Sequence, residues 1–209
     1  MTQVCYVDLS DFSEDQLEAL YKLSSPERQS RADRYLRRED RHRSLAADAL
    51  LRHAMVQALG RSDYPVAYMP KGKPYVKDRP DFQFNLTHSG RWVAIAWGRE
   101  PVGLDVEQLR FDAAKEGIAR RFFCRDEYQY IFDAEGEQRC RRFFEIWTKK
   151  ESYIKYTGTG LAQPLDSFSV LSSPEPKLRF HCGFLEDAAY SLCTPSQWIN
   201  FTRLTPEQL

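Results

Sequence analysis

Two carboxylates two residues apart, Asp105 and Glu107, end the apolar run Val102-Gly103-Leu104-Asp105-Val106-Glu107. On an extended strand such residues point to the same side, so the pair offers two hard oxygen donors on one face. That set suits Mg²⁺ when waters and phosphate oxygens complete its octahedron. An ordinary polar strand end has the same spelling. A denser group follows in Trp147-Thr148-Lys149-Lys150-Glu151-Ser152-Tyr153-Ile154-Lys155. Glu151 lies one helical turn after Trp147 and one before Lys155, so carboxylate and ammonium share a helix face. Glu151 could complete a metal shell or accept a proton while Lys150 and Lys155 offset phosphate charge; the structural alternative is a common i,i+4 ion pair. His88 ends the alternating stretch Phe84-Asn85-Leu86-Thr87-His88-Ser89, where it can donate to phosphate, act as a base, or simply cap a turn. Lys73 sits between Gly72 and Pro74 on a stiff turn. Arg28 and Arg31 follow a helix entrance that favours anions, a solvated charged face being the plainer reading.

These side chains need elements to hold them. Residues 4–9 predict a short strand and residues 14–22 a polar helix; Ser25-Pro26-Glu27 reads as a helix entrance, with Ser as N-cap and Pro in the first turn. Apolar residues at three- and four-residue intervals then carry a long helical region to Gly60, with an interruption near Glu39-Asp40. Residues 65–80, rich in Pro, Gly and Lys, predict loops with at most short strands. Segments 82–86, 92–97 and 102–106 suggest an antiparallel meander. Helical patterns cover 112–134 and, more clearly, 137–156, before short strands at 167–171, 178–182 and 189–193. The result is an α+β layout whose halves share an element order, with a boundary near residues 98–104.

Composition removes several classes. Thirty Lys and Arg balance thirty Asp and Glu, so overall positive charge makes no case for a nucleic-acid partner. Five scattered cysteines form neither a CxxC nor a Cys/His cluster, which disfavours structural zinc and a disulfide framework. No apolar segment approaches the roughly 20 residues that span a bilayer, and the opening residues lack a signal-peptide pattern; a cytoplasmic protein with no membrane role is expected. Gly158-Thr159-Gly160 is no dinucleotide fingerprint, and neither a phosphate loop nor a G-x-S-x-G elbow occurs.

Taken in order, Gly72-Lys73-Pro74, Phe84 through Ser89, Val102 through Glu107, Phe123 with Glu127, and Trp147 through Lys155 resemble the 4′-phosphopantetheinyl transferases of the surfactin-synthetase-activating type. The resemblance runs from residue 25 to residue 170. It implies a pseudo-dimeric fold of two similar α/β halves, here 1–101 and 102–209, with coenzyme A held in the cleft between them. By motif matching it implies Mg²⁺ on Asp105, Glu107 and Glu151, and coenzyme A phosphates near Arg28, Arg31, Lys73, His88, Lys150 and Lys155. Arginines stand at 28 and 31 where a close relative uses lysines, which keeps the charge and changes its reach. The implied reaction transfers phosphopantetheine from coenzyme A to a serine hydroxyl of an apo peptidyl, aryl or acyl carrier domain. Glu151 or Glu127, directly or through a metal-held water, would take the serine proton. The implied enzyme is a monomer that docks carriers around residues 111–125, with Arg120, Arg121 and Arg125 facing them. Two other readings stay open: a basic module at 28–43 that binds RNA, membrane or an acidic protein, and a Mg²⁺-dependent nucleotide phosphohydrolase.

Overall fold

A computed structural model describes residues 1–111 and 116–209. Two antiparallel-dominated sheets stand side by side, each carrying one long helix. In the first, β1 (Thr2–Asp8) pairs with β5 (Trp92–Gly98), β5 pairs with β4 (Gln83–Ser89), and β9 (Ile199–Arg203) joins β1 in parallel, giving the order β4-β5-β1-β9. In the second, β6 (Gly103–Gln108), β8 (Ala188–Thr194) and β7 (Arg179–Phe184) run in the order β6-β8-β7. A ribbon of β2 (Val66–Tyr68) and β3 (Pro74–Val76) lies before β4.

The strand Trp92–Gly98 is apolar on both faces because both are covered. One face meets α3 (Arg38–Leu59), where Ala46, Leu50, Ala54 and Met55 pack with Val7, Val93, Ile95 and Phe84. The other meets the second half, where Val4, Ala94 and Ala96 pack against Val102, Leu104 and Leu192. A strand buried on both sides gives up polar alternation, which explains the unbroken Trp-Val-Ala-Ile-Ala-Trp run. Before α3 come α1 (Glu14–Leu23) and α2 (Pro26–Ala32), the latter with Ser25 as N-cap and Pro26 in its first turn as predicted. The second half adds α4 (Glu116–Phe122), α5 (Arg125–Phe132) and α6 (Gly136–Thr157), whose Phe143, Phe144 and Ile146 form a core with Ala119, Phe123 and Ile131. The α+β class holds, with helices and sheet in each half.

Several elements differ from expectation. The helical break falls at residues 33–37, and Glu39 and Asp40 instead occupy the first turn of α3, where acids complement the helix dipole. The predicted meander ends after two strands: the free edge of β5 is taken by β1, so β6 pairs with β8 in the other sheet. The region predicted as helical over 112–134 lies partly outside the described residues; the described part is helical as two segments, divided where the Glu127 carboxylate accepts the Cys124 N–H. Residues 167–171 form no strand, and the last strand, Ile199–Arg203, was not predicted.

One glycine lets the strand and the helix that carry the acids of the second half come into contact. A Cβ on Gly103, at the start of β6, would stand 2.0 Å from the Ser152 carbonyl oxygen and 2.3 Å from the Tyr156 nitrogen, both backbone atoms of α6. Only a residue without a side chain lets this helix lie on that strand, and Lys155 then reaches Asp105. Gly103→Ala is expected to lower stability by about 1–3 kcal/mol, the cost of forcing a packed core apart. A urea midpoint equal to wild type would contradict that contact.

Candidate active site

The acidic strand end lies against the acidic helix. Asp105 and Glu107 project from β6, and α6 carries Glu151 and Lys155 across from them. The Lys155 ammonium donates to Asp105 Oδ1 at 2.6 Å, to the Leu104 carbonyl at 3.1 Å and to Thr87 Oγ1 at 3.2 Å. Asp105 is only 3% exposed, and its second oxygen, Oδ2, is buried with no hydrogen-bond partner. Burial pushes the Asp105 carboxyl up to about 7; Lys155 opposes that rise, and the Glu107 and Glu151 charges add to it. Glu151 is raised for the same reasons, burial first, with Glu107 adding and Lys155 opposing. Three acids thus crowd around one ammonium, and one buried oxygen lacks any donor. A cation answers both deficits, so the residues fit Mg²⁺. Among the described residues no three His, Cys, Asp or Glu side chains form a ready-made cage. An ion that keeps its waters and shares phosphate oxygens does not need one.

Lys155 is also the common wall of the cavities around it. A cleft of about 330 Å³ on the first-half side is lined by Arg28, Arg31, Tyr68, Thr87, His88 and Lys155. A second, of about 410 Å³, lies beside Glu151 and is lined by Arg121, Phe122, Ile154, Lys155, Pro164 and Leu165. The first is cationic and the second largely apolar, an arrangement able to seat a phosphate-rich head and a less polar arm on either side of the acids. Within the cationic cleft, Arg28 is held by Asp48 at 3.3 Å, and Arg31 reaches the Tyr68 hydroxyl at 3.5 Å. Burial lowers the pKa of His88, with the Arg43 and Lys155 charges lowering it further. The imidazole is therefore neutral at pH 7 and free to donate one hydrogen bond.

Three sequence expectations need correction. Lys150 is fully buried, bonded to Glu127 Oε2 at 2.8 Å and to the carbonyls of Leu165 and Phe168 at 2.7 and 2.5 Å, so it cannot reach a phosphate in either cleft. Glu127 is equally buried; besides Lys150 it accepts the N–H groups of Cys124 and Val170, each at 2.8 Å, and is closed to an incoming serine. The Lys73 ammonium points at the carbonyls of Lys155, Tyr156 and Val102, at 2.7, 3.0 and 3.3 Å. It caps the C-terminal end of α6, where carbonyls lack helical partners, and ties the turn of the first half to the helix of the second. Burial lowers its pKa to about 8.

The arginine-rich stretch is locally neutralised: Arg28 pairs with Asp48, Arg38 with Glu14, Arg41 with Glu18, and Arg43 with Asp40. That removes most of the free charge a basic binding module would need. Around the expected docking segment, residues 112–115 lie outside the described residues; Phe111 is exposed, Arg120 is paired with Glu116, and Arg121 lies over Phe122 at the lip of the apolar cavity. Sequence reading missed the roles of Asn85, Ser89 and Gly103. Their signal was present as a period-two run of hydrogen-bonding side chains in β4 and as a glycine inside an apolar strand.

Known proteins match this chain along most of its length. Residues 101–200 match a family profile described as the 4′-phosphopantetheinyl transferase superfamily, and residues 11–99 match one described as 4′-phosphopantetheinyl transferase, N-terminal. The chain is 38% identical over 160 residues to 4′-phosphopantetheinyl transferase Sfp of Bacillus subtilis, covering 76% of this chain and 70% of that one. It is 37% identical over 163 residues to 4′-phosphopantetheinyl transferase psf-1 of Bacillus pumilus, 77% and 69% of the two chains. With 4′-phosphopantetheinyl transferase HetI of Nostoc it shares 35% over 173 residues, 79% and 73%.

Proposed function

Because the chain belongs to the 4′-phosphopantetheinyl transferase superfamily, we infer that it moves 4′-phosphopantetheine from coenzyme A to a serine hydroxyl of an apo carrier protein, releasing adenosine 3′,5′-bisphosphate. What carries this reading is that one side chain, Lys155, stands at once in the cationic cleft and against the buried acid of β6. Asp105, Glu107 and Glu151 are the residues that would hold Mg²⁺, which when bound polarises the pyrophosphate of coenzyme A. Arg28 and Arg31 take the phosphates at the nucleotide end, and His88 and Lys155 donate to the pyrophosphate as the serine oxygen attacks its β-phosphorus and the bond to the leaving phosphate breaks. Glu151 is the carboxylate open to the cavity beside the reacting atoms, so it takes the serine proton, directly or through a metal-held water.

The carrier docks around residues 111–125, of which Arg121 and Phe122 line the apolar cavity, and that cavity takes the pantetheine arm. Both walls of the cleft come from one chain, which supports action as a monomer built of halves 1–101 and 102–209. In that arrangement β9 returns from the second half to extend the first half's sheet. All five cysteines are free, which fits a reducing, cytoplasmic setting. No helix among the described residues is long and apolar enough to cross a membrane.

The direct test is intact-protein mass spectrometry of an apo peptidyl carrier domain incubated with the enzyme, coenzyme A and Mg²⁺. A phosphopantetheine mass gain is expected, and is expected to vanish without Mg²⁺ or when the carrier serine is alanine. Release of a hydrolysed coenzyme A fragment with no gain on any folded carrier would turn the reading to a nucleotide phosphohydrolase.

A further inference from the structure

Strands β4 and β6 lie on the facing edges of two different sheets, and no backbone ladder joins them. Yet the edge of β6 is buried, with Leu104 and Val106 at 1% and 2% exposure, so its outward N–H groups need acceptors. Side chains of β4 supply them. The Leu104 N–H donates to Asn85 Oδ1 at 2.8 Å, the Val106 N–H to Thr87 Oγ1 at 3.2 Å, and the Gln108 N–H to Ser89 Oγ at 3.1 Å. Each pair is nineteen residues apart, so the two strands run parallel in one fixed register.

The hydroxyl rungs also donate. Ser89 Oγ donates to Glu107 Oε2 at 2.7 Å, and Thr87 Oγ1 stands 3.4 Å from Asp105 Oδ1. A hydroxyl has one proton and two lone pairs, so it can accept a backbone N–H and direct its own proton at a carboxylate. The two-residue spacing of Thr87 and Ser89 matches that of Asp105 and Glu107. The alternate residues of the same strand, Phe84, Leu86 and His88, line the cationic cleft. One strand therefore borders the coenzyme cleft with Phe84, Leu86, Thr87 and His88 and orients the acids with the hydroxyls of Thr87 and Ser89. A slip of two residues would carry the hydroxyls about 6.6 Å away from their carboxylates.

We propose that Ser89 is a positioning residue for Glu107, and that the Asn85, Thr87 and Ser89 ladder sets the geometry of the acidic site across the boundary between the halves. Thr87 shares its hydroxyl between Asp105 and Lys155, whereas among the described residues Ser89 donates to Glu107 alone, so Ser89 is where the role can be isolated. The inference rests on Glu107 being a metal-holding residue, as proposed above.

The test measures Mn²⁺ binding by electron paramagnetic resonance on the enzyme with coenzyme A, in wild type, Ser89→Ala, Ser89→Thr and Glu107→Gln. Coenzyme A affinity without metal and thermal midpoints are measured beside it. Loss of a hydrogen bond to a charged group predicts Mn²⁺ binding weaker by about tenfold in Ser89→Ala, and within about threefold of wild type in Ser89→Thr, which keeps the hydroxyl. Metal-free coenzyme A affinity stays within about twofold, since Ser89 does not line the cleft. Wild-type Mn²⁺ binding in Ser89→Ala beside weakened binding in Glu107→Gln would overturn the Ser89 role alone. Equal loss in the Ala and Thr variants, or a coenzyme A loss matching the metal loss, would overturn it too. Normal Mn²⁺ binding in Glu107→Gln would instead remove the metal role of Glu107, and the proposal with it.

Discussion

Asp105→Asn is expected to lower kcat/KM for holo-carrier formation by about a hundred- to a thousandfold, the range seen when one preorganised electrostatic contact is removed from a reacting centre. The substitution keeps the shape of the side chain and removes its charge. Asp105 is the most enclosed of the three acids around Lys155, and its Oδ2 is the buried oxygen left without a donor. Burial and two neighbouring carboxylates oppose its charge and raise its pKa to about 7 despite Lys155, and a bound cation supplies the missing compensation. In the absence of that cation the charged oxygen is a cost to folding, because a buried polar atom without a partner forfeits its hydration. The thermal midpoint of Asp105→Asn without metal should then equal or exceed that of wild type while turnover collapses. Lys155 does not offset this, being partly exposed and able to take water in place of its lost partner. Turnover within about tenfold of wild type at saturating Mg²⁺ would show that Asp105 does not hold the metal.

The same residue illustrates how far the sequence could be read. A carboxylate pair with a strand's period and a carboxylate–ammonium pair with a helix's period are local statements, and local geometry honours both: Asp105 and Glu107 face one way, and Glu151 and Lys155 share a helix face. Which sheet β6 would join is not local. Its partner β8 lies about eighty residues away in the chain, and the adjacent β5 was lost to it because β1 already occupied that edge. Likewise β9 becomes a strand only because β1, near the opposite terminus, offers it a free edge. Propensity over five residues carries no trace of such a pairing. The ladder of Asn85, Thr87 and Ser89 was spelled in the sequence as an alternation, but its acceptors' purpose emerges only when a second, unpaired strand edge is brought beside it.

Lys150 is a different case, since helical period alone argued against its expected role. It is seven residues after Phe143 and four before Ile154, on the stripe that α6 buries, while Glu151 is turned by about 100° from it toward the cavity. That turn carries Lys150 onto the buried stripe, away from the side on which Glu151 meets the cavity. Its three acceptors, Glu127 and the Leu165 and Phe168 carbonyls, hold the segment after Pro164 against α5 and α6. Pro164, Leu165 and Asp166 of that segment form the wall of the apolar cavity beside Glu151.

Lys150→Met should therefore act through stability. Removing one partner of a fully buried pair leaves an uncompensated carboxylate on Glu127 and costs about 3–5 kcal/mol. For a chain of this size that lowers the thermal midpoint by about 6–20 °C. Adding Glu127→Gln removes the stranded charge and should restore at least half of the loss, a recovery with no counterpart if the lysine served phosphate. Affinity for adenosine 3′,5′-bisphosphate, which lacks the pantetheine arm, should stay within about twofold when measured well below the lowered midpoint, because Lys150 does not line the cationic cleft. The KM values for coenzyme A and for carrier should both rise, since the loosened wall borders the cavity given to the pantetheine arm and lies on the side where the carrier approaches. A variant with the wild-type midpoint and coenzyme A binding weakened tenfold or more would reverse this assignment and return Lys150 to the phosphates.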